Sequence, residues 1–264
     1  MIFITGDCHK DFSRFTMDNF PEQRNMTKDD YVIICGDFGG VWWNKEERGF
    51  RTDTFDLNWL NERSFTTLFV DGNHENFDEL YQYPVKEWKG GKVHEIRPSV
   101  LHLMRGEVFD LDGKTIFAFG GAQSHDIQDG IIPWDDKKQW RETAKEWDKQ
   151  GKMFRIDHYS WWKEELPTPE EIANAHRNLA KCDYKVDYVI SHDCPTDALV
   201  TYAAMLGLSQ SGRYKLDDRN ILTEFFDGLS EKLQFSKWIF GHHHDNRNIM
   251  NKYILLYEQV IRIG

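Results

Sequence analysis

Short apolar runs that stop abruptly at a polar residue set the rhythm of this chain. Ile2–Thr5 runs into Gly6-Asp7, Tyr31–Cys35 into Gly36-Asp37, and Thr67–Val70 into Asp71-Gly72-Asn73-His74. Val186–Ile190 ends at Ser191-His192, and Lys237–Phe240 at Gly241-His242. These runs are rich in Val, Ile and Phe at successive positions, which predicts strands buried on both faces. Val108–Leu111 and Thr115–Phe119 flank Asp112-Gly113, a turn signal that predicts a β-hairpin. Tyr253–Ile263 alternates loosely and predicts one or two closing strands.

Helical spacing appears between the runs. Phe55, Trp59 and Leu60 fall on one face, and Ile221, Leu222, Phe225, Phe226 and Leu229 on another. Thr168-Pro169-Glu170-Glu171 combines an N-cap, Pro at the first helical position and Glu at the third, so a helix should begin there. The stretch from about 123 to 180 differs: it is charged, bears tryptophans and is poor in strand signals. It reads as a polar insertion near one end of the sheet, with 135–150 as a solvated helix face. Strands alternating with helices predict an α/β architecture with helices outside the sheets. No repeat, low-complexity tract or flexible linker divides residues 1–264, so the chain reads as one domain.

Composition narrows the function classes. Lys and Arg total 33 against 44 Asp and Glu, a formal charge of −11 in 264 residues. That balance argues against bulk double-stranded DNA or an anionic membrane as partner, where basic surface supplies the affinity. No run approaches the roughly 18 apolar residues of a membrane span, and the N-terminus lacks the pattern of a secretory signal. Cys8, Cys35, Cys182 and Cys194 have no disulfide or zinc-ribbon spacing, so free thiols in a reducing cytoplasm are expected. Eleven histidines are the unusual count.

Several of those histidines stand, with acids and an amide, directly after the buried runs: Asp7 and His9, Asp37, Asn73 and His74, His192, then His242 and His244. A site at the carboxyl ends of strands is the expected placement in an α/β sheet. Alternation along an extended chain would aim Asp7 with His9, and His242 with His244, at one centre each, and the preceding glycines would permit sharp turns. Imidazole, carboxylate and amide donors suit Mn²⁺, Fe or Zn²⁺ better than Ca²⁺ or a structural zinc. Leaving His74 aside, the set is too large for one tetrahedral ion and matches two ions sharing a carboxylate, the arrangement used for displacement at phosphorus.

In order and spacing the blocks Asp7-Cys8-His9, Gly36-Asp37, Gly72-Asn73-His74-Glu75, His192 and Gly241-His242-His243-His244 resemble the calcineurin-like metallophosphoesterases across nearly the whole chain. The likeness is to single-domain members of bacterial or phage type. It implies a four-layer αββα sandwich of two mixed β-sheets with a dinuclear centre on its rim. It also implies that Asp7, His9, Asp37 and His244 hold one metal, and that Asp37 bridges to a second completed by Asn73, His192 and His242. A bridging hydroxide would attack phosphorus in line, with His74 as general acid. In the protein Ser/Thr phosphatase branch the second block reads G-D-x-x-D-R-G. Here Gly36-Asp37-Phe38-Gly39-Gly40-Val41-Trp42 lacks both functional side chains, which disfavours that branch and leaves open what orients His74, with Asp71 and Glu75 nearby in sequence.

The resemblance thus implies a phosphoric ester hydrolase with two divalent ions, Mn favoured, acting on a small molecule or nucleotide. A phosphodiester is preferred over a phosphomonoester because His74 could protonate an alkoxide and rim aromatics could hold a base. A nuclease and a non-catalytic binding protein are the alternatives. Trp42 and Trp43 are core residues or a stacking platform. In the insertion, Ser124, His125, Asp126, Arg155, Trp161 and Trp162 form a candidate lid, in which Arg155 could clamp a phosphate. His243 should point away from the metals. His94, His102, His125, His158 and His176 read as surface or satisfied core residues, and Cys8 and Cys194 as small fillers.

Overall fold

The chain is described by a computed structural model at residues 1–42, 52–135, 137, 139–208 and 219–264. It lays down strands β1 (Ile2–Thr5), β2 (Tyr31–Cys35), β3 (Thr66–Val70), β4 (Val85–Trp88), β5 (Gly91–Arg97) and β6 (Val100–Leu103). The hairpin β7 (Glu107–Leu111) and β8 (Lys114–Phe119) follows, then β9 (Gly130–Ile132) and β10 (Phe154–Ile156). β11 (Tyr188–Ser191), β12 (Lys237–Phe240), β13 (Arg247–Ile249), β14 (Tyr253–Leu255) and β15 (Val260–Ile263) complete the strands. The helices are α1 (Thr52–Asn61), α2 (Phe77–Leu80), α3 (Trp140–Lys149), α4 (Pro169–Lys181), α5 (Thr196–Met205) and α6 (Ile221–Lys232).

Two mixed sheets result, ordered β15-β1-β2-β3-β6-β5-β4 and β13-β14-β12-β11-β8-β7, with β9 and β10 as a separate parallel pair. Alternation along each run decides the layering. Ile2, Ile4, Ile33, Cys35, Leu68 and Val70 meet Phe109, Leu111, Ile116, Ile190 and Ile239 of the other sheet. Their neighbours Phe3, Val32, Ile34 and Phe69 face outward onto Leu57 and Leu60 of α1 and a cluster of phenylalanines. Phe117, Val189, Trp238 and Phe240 face outward from the second sheet onto α4, α5 and α6. The protein is therefore an αββα sandwich, and the runs are apolar throughout because both faces of each are covered.

The Asp112-Gly113 turn takes positive φ at both residues (54° and 72°), as a tight hairpin of matching twist needs. The helix at Thr168 starts with a full capping box to Glu171. Other expectations need correction. Phe55 is 71 % exposed, and Leu57 with Leu60, one turn apart, forms the buried face of α1. Ile221 sits exposed at the first turn of α6, while Leu222, Phe225, Phe226 and Leu229 pack. The closing run splits: β14 pairs with β12, and β15 crosses to pair antiparallel with β1. β4, β5 and β6 lack the apolar run ending at Gly, Asp, Asn or His that marks the rim strands.

Within 123–180, β9, α3 and β10 share a small cluster of Ile132, Trp140 and Ile156, whereas α4 lays Ala175 and Leu179 on the second sheet. α3 buries Trp140 and is otherwise largely solvated. Among the described residues no helix is long and apolar enough to cross a membrane.

Candidate metal centre

Asp7 and His9 follow β1, Asp37 follows β2, Asn73 and His74 follow β3, His192 follows β11, and His242 and His244 follow β12. β1, β2 and β3 run parallel in one sheet, and β11 and β12 in the other. Their C-terminal ends meet at one rim, where His192 Nδ1 donates to Cys35 O at 2.7 Å and the His242 amide donates to Asp7 Oδ1 at 2.9 Å.

Simple alternation does not aim these side chains, because they lie beyond the strand ends. His9, Asp37, His242 and His244 all have positive φ (45°, 46°, 68° and 49°), an uncommon state for residues with a Cβ that gathers at functional sites. The backbone thus sends His244 to Asp7 and His9, but turns His242 to His192 instead of beside His244. Gly36 does make the sharp turn expected of it (φ +91°). At Gly72 the reason for glycine is close approach: a Cβ there would lie 2.1 Å from Asp37 Oδ1.

Ligand-type atoms of Asp7, His9, Asp37 and His244 lie within 4.8 Å of one another. His244 Nε2 is 3.0 Å from Asp7 Oδ2, and His9 Nε2 is 3.7 Å from both Asp7 Oδ2 and Asp37 Oδ2. On the other side, His192 Nε2 is 3.3 Å from Asp37 Oδ1 and 3.3 Å from Asn73 Oδ1. The His242 ring lies 4.9 Å from that of His192. Asp37 therefore turns one oxygen to each group.

Asp7 and Asp37 are both buried, and among the described residues neither has a Lys or Arg within ion-pair distance. Asp7 Oδ2 is buried with no well-aligned hydrogen bond. Two buried carboxylates with no Lys or Arg partner among the described residues are costly, so the site fits a bound cation. The imidazole, carboxylate and amide donors fit a divalent transition ion. Burial raises the Asp37 carboxyl, but His192 beside it outweighs this and holds it below its usual range. Burial opposes protonation of His192, yet Asp37 and Asp7 push its pKa up. Without metal, a proton on His192 supplies the missing charge. Its Nδ1 bond to Cys35 O leaves Nε2 as the donor available to an ion.

The family model of the calcineurin-like phosphoesterases matches residues 1–246, nearly the full chain. The chain belongs to that family. Members of this family bind divalent metal ions. Lariat debranching enzyme A of Xenopus laevis is 24 % identical over 143 residues, covering 49 % of this chain and 25 % of the relative. A putative 5′-nucleotidase from Staphylococcus aureus, solved in complex with alpha-ketoglutarate, has a TM-score of 0.46 and 14 % identity. That match covers 97 % of this chain and 48 % of the other. The phosphoesterase chain thus spans about a quarter and about half of these two proteins.

His74 sits against the shared carboxylate of this calcineurin-like phosphoesterase, its amide donating to Asp37 Oδ1 at 2.8 Å. Arg155 Nη1 and Nη2 lie 3.2 Å from His74 Nδ1 and Nε2 respectively. Burial, then Arg155, His9 and His192 against the pull of Asp37, take the His74 pKa down to about 4. Neither acid near it in sequence contacts its ring. Glu75 accepts from the Phe38 and Gly39 amides and so shapes the Asp37 loop. Asp71 is held by Arg105 Nε at 2.9 Å and by His102 Nε2 at 3.0 Å.

Several supporting residues carried no sequence signal. Arg14 donates to Asp7 O at 2.7 Å. Glu165 takes the Ser124 hydroxyl at 2.7 Å, and Ser124 Oγ accepts from Asn73 Nδ2 at 3.3 Å, which turns the Asn73 carbonyl oxygen to the centre. His125, read as a surface or satisfied core residue or as part of a candidate lid, brings Nε2 to 2.9 Å from His242 Nε2 and so joins the rim. His243 turns to Asp193, 3.6 Å away. Trp42 packs edge-on to Trp162 at 5.5 Å; Trp43 lies outside the described residues. His94 and His102 are buried in mutual contact, His158 meets Asp78, and His176 meets Tyr184. Cys8 is buried and its thiol is pushed up to about 12 by burial, which suits a filler.

Proposed function

We propose that this phosphoesterase hydrolyses a phosphodiester of a small molecule or nucleotide, with two divalent ions at the rim. The observation that carries the reading is Asp37, a buried carboxylate with one oxygen toward Asp7, His9 and His244 and the other toward His192 and Asn73. Asp7, His9 and His244 would hold one ion, Asn73, His192 and His242 the other, and Asp37 both. Mn²⁺ is favoured; Fe and Zn²⁺ suit the same donors. Bound there, such ions supply Lewis acidity at the phosphoryl oxygens and make an attacking water more acidic.

The chain's own residues do the remaining work. Ser124 and Glu165 orient the Asn73 amide, and the Cys35 carbonyl orients His192. His74 delivers a proton to the departing oxygen. Its free imidazole is neutral at pH 7, with a pKa of about 4; the negative charge of a seated phosphoester opposes the effects of burial and Arg155. A proton donor matters most for an alkoxide leaving group, which favours the diester. The likeness to an enzyme named for lariat debranching leans the same way and supports a nuclease as the second reading. The formal charge of −11 weighs against long polyanions spread over the surface. The partly buried Trp42 is the proposed contact for a substrate ring.

The test is turnover of a bis-aryl phosphodiester, an aryl phosphomonoester, cyclic nucleotides and single-stranded DNA, each with Mn²⁺ and with chelator. Metal-dependent cleavage with diesters ahead is expected. Undiminished activity in protein shown to be metal-free would overturn the reading. His74→Ala should keep its metal content and lose about 10²- to 10⁴-fold in kcat on substrates with poor leaving groups. Unchanged turnover of those substrates would remove His74 from the mechanism.

A further inference from the structure

Between the end of β6 and the start of α4 the fold leaves a cavity of about 300 Å³, room for one small molecule. None of the proposed metal ligands lines it, nor does His74. Two residues of its wall bury a polar atom that has no hydrogen bond, Arg105 at Nη1 and Glu164 at Oε2. The Arg105 side chain is only 2 % exposed. Its Nε and Nη2 donate to Asp71 Oδ2, and Nη2 also to Glu164 O. Both N–H groups of Nη1 are left without an acceptor. Glu171 Oε2 is 3.7 Å away, beyond hydrogen-bond length, and it already accepts from the Thr168 amide and hydroxyl. A buried donor and a buried acceptor left unsatisfied are costly, and an occupant that meets both removes that cost.

The rest of the wall narrows what the occupant can be. Among the described residues lining it, Arg105 is the one Lys or Arg, set against the carboxylates of Asp71, Glu164 and Glu171. Burial and the neighbouring His102 take the His94 pKa down to about 4, so His94 adds no positive charge at pH 7. An anion is therefore disfavoured. Met104 and Leu166 supply apolar surface. The Tyr81 ring lies 5.6 Å from that of His94 at 27°, and His94 stacks on His102 at 5.2 Å and 6°. Flat, mostly apolar walls with one donor and one acceptor suit a flat ring with a polar edge.

We propose that this cavity binds an uncharged heterocycle of nucleobase size whose edge carries a carbonyl next to a ring N–H, as in uracil and hypoxanthine. The carbonyl oxygen accepts from Arg105 Nη1, the N–H donates to Glu164 Oε2, and the ring lies against the apolar wall. This site is separate from the rim and does not rest on the phosphoesterase reading.

Calorimetry and saturation-transfer NMR test this in protein held metal-free by chelator. Uridine, inosine or both should bind at one site. The matching 3-methyluridine and 1-methylinosine keep the carbonyl but lose the N–H, and should bind about 10- to 100-fold more weakly. Glu164→Ala should weaken the parent nucleoside by a similar factor and erase its advantage over the methylated form. The Glu164 side chain is 27 % exposed, so this variant should keep the wild-type melting. Leu166→Trp should fill the cavity and abolish binding. Trp42→Ala, at the proposed ring contact of the rim, should leave binding unchanged. Absence of binding by both nucleosides at millimolar concentration would show that the cavity holds ordered water only and overturn the proposal. So would equal affinity for the methylated forms, or binding that Trp42→Ala removes and Glu164→Ala spares. None of these outcomes measures turnover, so the phosphoesterase reading survives each of them.

Discussion

Asp71 shows how much of the site is supported from beneath. It precedes Gly72 and is fully buried, and burial alone would raise its carboxyl; Arg105 and His102 outweigh that and hold it well below the usual range. Asp71→Asn would leave the buried Arg105 cation with only the more distant Glu171 carboxylate, 3.7 Å away, a loss of about 3 kcal/mol in urea unfolding; less than about 1 kcal/mol would show that water already solvates the pair. Gly72→Ala probes geometry instead of charge. A Cβ placed 2.1 Å from Asp37 Oδ1 and 2.8 Å from His192 Nε2 must displace the carboxylate that both halves of the site share. Mn²⁺ binding by calorimetry should weaken sharply while the far-ultraviolet circular dichroism stays native. Residue types and spacings already marked Asp7, His9, Asp37, Asn73, His74, His192, His242 and His244 as candidates. Arg14, Arg105 and Glu165 were invisible because their partners are set by packing and not by any local pattern.

Elements that obey local rules were readable, and those that depend on distant partners were not. The α4 capping box is local: Thr168 and Glu171 satisfy each other's backbone amides. Thr168→Ala should cost about 1 kcal/mol of global stability with turnover unchanged, and a loss of activity at equal stability would give α4 an unsuspected role. The β9–β10 pair is the opposite case. It is short, and its strands are separated by α3, so nothing in its sequence announced a pair that carries Arg155 to His74. Its tie to α2, through His158 on Asp78, is pH-sensitive. Asp78 raises the His158 pKa above 6.5, so the tie contributes fully below about pH 6.5 and is lost as pH rises past the raised value. Hydrogen exchange in 154–162, corrected for intrinsic rates, should quicken from pH 6 to pH 8, and His158→Ala should remove that dependence. An identical pH response in the variant would assign it elsewhere.

At the scale of the whole molecule, the acidic balance and the buried carboxylates point the same way. Two dications would bring the formal charge from −11 to −7 and place positive charge where, among the described residues, Asp7 and Asp37 have no Lys or Arg partner. Metal at 100 times its dissociation constant should stabilise the fold by about 2.7 kcal/mol, which is roughly 5–10 °C in Tm for a domain near this size. Chelation should reverse both the stabilisation and the activity, and Mn²⁺ should restore them; an unchanged Tm would mean that the centre does not load. In metal-free protein, His192 has its pKa raised by Asp37 and Asp7, so its contribution is present at low pH and fades above the ordinary histidine range. Stability of that form should fall as pH rises from about 6.5 towards about 10, a fall that Mn²⁺ should suppress.

The five strands that end at the rim, the hairpin, the start of α4 and the ligand types are all consequences of short-range chemistry: apolar runs, turn preference, capping and the donor each side chain carries. They were legible in the linear order of residues. Left-handed backbone at His9, Asp37, His242 and His244 sorts the histidines between the two halves. The sheet pairing of β15 with β1 and the approach of Arg155 to His74 join residues far apart in the chain. Such contacts depend on which buried faces pack together, a property of the assembled sandwich and not of any window of its sequence.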